Sequence, residues 1–193
     1  MNNDENGIPA GVVKTILMNN LMGRGGQSSE IYLNIYLSSL NEAKKLLNEA
    51  SILLDNGAHE RAYFLGISAL EEISKSQLAA DVYTGLIDEN KFKEAYRDHK
   101  KKLARVEWVK IDGNSYPYFS FDSIKIKDFD FQKKLKSMYV DVDFILNEIS
   151  TPDDNIKKED AEGIIKAVTV GLHRIYQVTE EDGEQIGTKG FMK

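Results

Sequence analysis

Residues 59–86 read HERAYFLGISALEEISKSQLAADVYTGL, a stretch of good helix formers without a proline. On a wheel of about 100° per residue, apolar side chains fall all round it: Phe64, Leu65, Ile67, Leu70, Ile73 and Leu78. A helix that is apolar on every side is a central, buried one. Its polar residues are nevertheless gathered. Arg61, Ser68, Glu71, Glu72, Lys75 and Ser76 share a sector of about 140° by the same geometry. Lys75 stands four residues after Glu71 and three after Glu72, so it has the spacing to pair with either.

The flanking sequence predicts a partner helix on each side. Ser28 and Ser29 are good N-cap types for a helix over 28–54, and Gly57 after Asp55-Asn56 is its stop. The connection to residue 59 is so short that the two helices must form an antiparallel hairpin. Asp88 is a candidate N-cap for a helix over 88–109. Asp128 caps another to about Met138, and a last helix runs over 158–178. Between them, residues 111–127 read as an ordered loop with Tyr116, Tyr118, Phe119 and Phe121, and an extended stretch over 123–127. Tyr139–Asp143 alternates with period two and reads as extended, while Pro152 and Asp153-Asp154 mark a loop. The fold class is all-α: a helical bundle on a long antiparallel hairpin, with a short irregular or extended insert. The expected organisation is a loose arm over 1–27, with a short helix over 12–22, a helical domain over 28–178 and a flexible tail over 179–193.

Composition narrows the function classes. The chain has 193 residues, 41% hydrophobic and 29% charged, enough for one domain with a real core. There is no cysteine, which excludes disulfides, thiolate metal sites and cysteine nucleophiles. No run approaches a membrane span, and Met1–Glu5 is polar, unlike a signal peptide, so a cytoplasmic location with no membrane partner is expected. The spacing of Asp141, Asp143, Asp153 and Asp154 does not follow the calcium-loop rule. No metal or cofactor motif is present, and none is expected.

His99 is the second candidate feature. Phe92, Ala95, Tyr96, Leu103, Val106 and Val109 recur at helical spacing, and a continuous helix puts His99 in the middle of that face, flanked by Lys100 and Lys102. It is expected to point at neighbouring helices, either as a core histidine or against Glu72 or Glu71. A histidine–carboxylate pair suits proton transfer near neutrality.

The string ERAYFLGISALEEISK over 60–75 resembles the AbiV family of prokaryotic abortive-infection proteins. So do SLNEAKKLLNEASILLDNG over 39–57, DHKKKL over 98–103, LKSMYVDVDF over 135–144, then Pro152 and EDAEGIIKAV over 159–168. The resemblance implies a helical domain of the HEPN superfamily, many members of which are dimers acting in phage defence and several of which are metal-independent ribonucleases. The residues that match are Glu71, Glu72, Lys75, Asp98, His99, Lys100 and Lys102. The superfamily's nuclease signature places an Arg a turn or more before a His on one helix. Here the nearest pair is Arg97-Asp98-His99, with Arg97 about 160° from His99 on a continuous helix. That departure leaves catalysis open.

Two readings follow. In one, the protein is a phage-defence effector acting on RNA or the translation machinery, with His99 as acid–base residue, Glu72 orienting it, and Lys102, Lys75 or Arg61 stabilising the phosphorane; Glu71, Asp98 and Lys100 complete the binding residues. In the other, it is a non-catalytic module that sequesters a host or phage protein, and the cluster is structural. A third idea is a nucleotide-binding partner of a separate nucleotidyltransferase. Expected partners are a second copy, through the apolar stretch 31–40, RNA or the ribosome, and a phage-encoded trigger protein.

The net charge of −6 hides an uneven distribution. Residues 91–136 hold 11 Lys and 2 Arg against 7 acidic side chains, a surplus of +6 that leaves −12 elsewhere. A basic middle with aromatics beside it removes the objection that an acidic chain avoids nucleic acid.

Overall fold

A computed structural model describes residues 27–99, 102 and 131–176. Within it the order is α1 (Gln27–Asp55), α2 (His59–Tyr83), α3 (Glu89–Arg97), α4 (Phe131–Lys136), β1 (Asp141–Asp143), β2 (Glu148–Ser150), α5 (Pro152–Asn155) and α6 (Lys158–Tyr176). Of the expected arm over 1–27, residues 1–26 lie outside the described residues, as do the aromatic loop and the tail, and Gln27 already belongs to α1.

The long hairpin forms as the sequence predicts. Gly57 takes φ +80, and the N–H groups of Gly57 and Ala58 donate to the carbonyls of Leu54 and Leu53, closing α1 with a glycine-type C-cap. Gly85, at φ +74, closes α2 the same way, with Gly85 and Leu86 donating to Val82 and Asp81. Asp88 then caps α3, its carboxylate accepting from the N–H groups of Asn90 and Lys91.

Helix α2 is the centre of the molecule. It packs along α1 on one side and against α6 on another. Ala62, Tyr63, Ile67, Ala69, Leu70 and Ile73 are fully or almost fully buried on it. Each large apolar side chain so buried stabilises the fold by about 1.5–3 kcal/mol. Gly66 lets α6 approach closely, because a Cβ there would stand 2.6 Å from Cγ2 of Ile164. Tyr32 of α1 meets Phe92 of α3 edge-on, with centroids 5.1 Å apart, and holds α3 on the hairpin.

Two expectations are corrected, and two others gain detail. The helix predicted over 88–109 breaks at Asp98, whose backbone is extended at φ −103, ψ 107. The chain turns helical again at His99, with the N–H of Lys102 donating to the carbonyl of Asp98. Aspartate is a preferred N-cap, and so favours a helix start at this point over a continuous helix. The Pro152 segment is a short helix, α5, rather than a loop, entered where the Asp154 carboxylate accepts from the N–H and hydroxyl of Thr151. The stretch ending at Asp143 does become a strand, but its antiparallel partner β2 was not foreseen. Finally, most of the apolar face of residues 31–40 is spent inside the chain: Tyr32, Leu33, Tyr36 and Leu40 are all buried.

Candidate functional site

Three segments distant in sequence converge on one carboxylate. Glu71, 4% exposed on α2, receives Nδ1 of His99 at 2.6 Å and Nζ of Lys102 at 3.4 Å on Oε2. Its Oε1 accepts from Nζ of Lys134 on α4 at 2.8 Å. Lys102 and Lys134 are 6% and 8% exposed, so two nearly buried ammonium groups share this carboxylate. The His99 side chain, by contrast, is 52% exposed. Its ring stacks on Phe131 with centroids 5.7 Å apart, and the Lys134 ammonium lies 5.1 Å from the centre of the Phe64 ring.

Burial by itself pushes the Glu71 carboxyl up. The hydrogen bond and charge of Lys134, the hydrogen bond of His99 and the charge of Lys102 outweigh it and hold the group below the ordinary glutamate value. An ionised carboxylate only accepts hydrogen bonds. Nδ1 of His99 is therefore the donor, and in the neutral ring Nε2 carries the free lone pair. Nε2 makes no hydrogen bond among the described residues. Among the described residues, the cluster thus combines an oriented, half-exposed base with two ammonium groups on one carboxylate. Buried charge of that kind favours an incoming anion.

The polar stripe of α2 is mostly covered rather than a solvent face, but its members do not all meet His99. Glu72 does not orient the histidine; it pairs with Lys75 one turn on. The Lys75 ammonium also lies 5.5 Å from the centre of the Tyr96 ring. Arg61 is exposed, about three turns from Glu71 along α2, and its guanidinium reaches Sδ of Met138 at 3.0 Å. Asp98 is the helix break itself, so the wheel angle between Arg97 and His99 does not apply. Lys100 lies outside the described side chains. Lys134 was not singled out from the sequence. The one trace it leaves there is the basic run Lys133-Lys134-Lys136, in which nothing marks the middle lysine as the one turned inward. Lys133 instead binds Asp160 at 2.7 Å and ties α4 to α6.

An open groove of about 670 Å³ is lined by Ile31, Ile35, Phe92, Tyr96, Lys93 and Arg97 among others, and by none of the four cluster residues. Among the described residues, no group of three or more His, Asp or Glu side chains is placed to hold a metal ion, and no helix is long and apolar enough to cross a membrane.

The family model HEPN_AbiV, described as AbiV, matches residues 31–173, which include all four members of the cluster. The chain belongs to the AbiV family. Membership places it among abortive-infection proteins and agrees with the helical bundle on the α1–α2 hairpin. No curated protein and no solved structure matches the chain.

Proposed function

We propose that this AbiV-family protein acts on RNA as a metal-independent ribonuclease, with His99 as its acid–base residue. The observation that carries this reading is the Glu71–His99 pair, whose half-exposed ring has no hydrogen bond on its other nitrogen among the described residues, with two buried ammonium groups on the same carboxylate. Nε2 of His99 takes the proton of a ribose 2′-hydroxyl. The 2′-oxygen attacks the adjacent phosphorus, and the P–O5′ bond breaks. The departing 5′-oxygen takes a proton from water, the protonated imidazole returns its proton to the hydroxide so formed, and a 2′,3′-cyclic phosphate and a 5′-hydroxyl are left. Lys102 and Lys134 supply positive charge for the phosphorane, and Glu71 holds the imidazole in the required tautomer. A phage-encoded trigger would then act by giving RNA access to this face.

The test is incubation of purified protein with RNA and a chelator, beside His99→Ala. Cleavage by the wild type with loss in the variant is expected. Absence of cleavage by the wild type, both alone and with extract of phage-infected cells, overturns the ribonuclease.

One observation favours a non-catalytic module instead. Glu71, Lys102 and Lys134 are all buried, and a buried network of this kind can exist to join three segments. On that reading His99→Ala lowers the melting temperature and leaves growth arrest intact.

A further inference from the structure

The groove between α1 and α3 has apolar walls, Ile31 and Ile35 on one side and Phe92 and Tyr96 on the other, with Asn34 and Ser38 along α1. Ile31 is 57% and Tyr96 43% exposed. Its charges are largely spent: Lys75 pairs with Glu72, Lys93 with Glu89 and Glu42 with Lys45. An apolar recess of nearly balanced charge suits an apolar, weakly charged occupant better than an acidic or a basic one.

The chain carries such a stretch just before α1. Residues 12–22, which lie outside the described residues, read VVKTILMNNLM, and Lys14 is the one charged residue between 6 and 23. On a helix, Val13, Ile16, Leu17 and Leu21 share a sector of about 140°. Asn20 falls inside that sector, and the groove offers it polar partners in Asn34 and Ser38. A helix this short is marginal in water unless it is packed on something. Between it and α1 stand Gly23, Arg24, Gly25 and Gly26. A connection of that length, rich in glycine, suffices to join two antiparallel helices. Such a reversal sets residue 22 beside the start of α1 and residue 12 about ten residues further along it, level with Ile35 and Ser38. Residues 1–30 also precede the stretch that the AbiV model matches, so this occupant lies outside the matched domain.

We infer that residues 12–22 fold back as a helix antiparallel to α1 and seat in the α1–α3 groove of their own chain. The short connection gives the segment an effective concentration of about 1 mM at that groove. A separate molecule at micromolar concentration does not compete with it. Seated there, the segment bridges α1 and α3 and steadies the end of α3, from which the chain breaks at Asp98 toward His99. The seat does not depend on the ribonuclease reading.

Hydrogen exchange on the full chain tests it. The amides of residues 16–22 should exchange at least ten-fold more slowly in the wild type than in Ile16→Asp/Leu17→Asp. Ile31→Asp, on the groove side, should release the same amides while those of α2 stay protected, because Ile31 is exposed and the core does not need it. The absence of native cysteine adds a direct reading of place. Mild oxidation of Val13→Cys/Ser38→Cys should close a disulfide within one chain. It should form at least ten-fold faster than in Val13→Cys/Ile52→Cys, whose second position is about 21 Å further along α1. Equal exchange at 16–22 in the wild type and Ile16→Asp/Leu17→Asp overturns the inference. So does protection that survives Ile31→Asp, which puts the segment elsewhere, or equal rates for the two cysteine pairs. A Val13–Ser38 disulfide formed between chains rather than within one gives the groove to a second copy and overturns it too.

Discussion

Oε2 of Glu71 lies 2.6 Å from Nδ1 of His99, across a helix break and 28 residues of chain. The pair joins a buried carboxylate to a half-exposed ring, and the two ends should respond differently to substitution.

His99→Ala removes one hydrogen bond and a ring stacked on Phe131 at the edge of the fold. It should cost about 1 kcal/mol of stability and abolish RNA cleavage. Urea unfolding and a cleavage assay on the same preparation check both.

Glu71→Gln leaves the buried Lys102 and Lys134 ammonium groups without their shared carboxylate. Breaking a buried ion pair on one side costs about 3–5 kcal/mol, so this variant should be far less stable than His99→Ala. Glu72→Gln affects only a half-buried pair with Lys75 and should cost about 1 kcal/mol or less. Thermal unfolding of the three variants gives the order.

The Glu71 carboxyl also sets an acid limit. Its value in the folded protein is below that in the unfolded chain, so the unfolded state binds the proton more readily. The resulting stabilisation is fully present above the unfolded carboxyl value of about 4.3 and is lost as pH falls through the lower folded value. Urea midpoints measured from pH 6 down to pH 3 should fall for the wild type, with a shallower fall for Glu71→Gln.

Two glycines should respond in opposite directions. Gly66→Ala places a Cβ against Ile164 and should destabilise by about 1–3 kcal/mol, with partial recovery on Ile164→Val. Gly163→Ala meets nothing within 4 Å inside α6 and should stabilise by about 0.5–1 kcal/mol. Melting temperatures of the two variants decide it.

Loss of the α3 cap is a local change. Asp88→Ala removes the acceptor for the N–H groups of Asn90 and Lys91 and should cost about 1 kcal/mol. Asp88→Asn should recover most of it, as chemical denaturation will show.

Much of the architecture was written in local chemistry. Gly57 and Gly85 mark helix ends because they can take positive φ, and Asp88 marks a start because its carboxylate can reach two free N–H groups. The all-round apolar character of residues 59–86 made α2 central before any contact was known. The resemblance carried by residues 60–75 and the later segments named the family. The break at Asp98 was not read, because the apolar spacing beyond it continues as though the helix were whole. Nor does wheel geometry distinguish Glu71 from Glu72 as the partner of His99. The two carboxylates stand about 100° apart on α2, and which of them is buried depends on where α4 and the segment after Asp98 pack. Lys134 is the clearest case. In the sequence it is one of three lysines on a short basic helix, and only the docking of α4 beside Phe64 turns its ammonium inward to Glu71. Helix ends and periodicity follow from neighbours along the chain, whereas the charge balance around a buried carboxylate depends on which distant groups lose their water together.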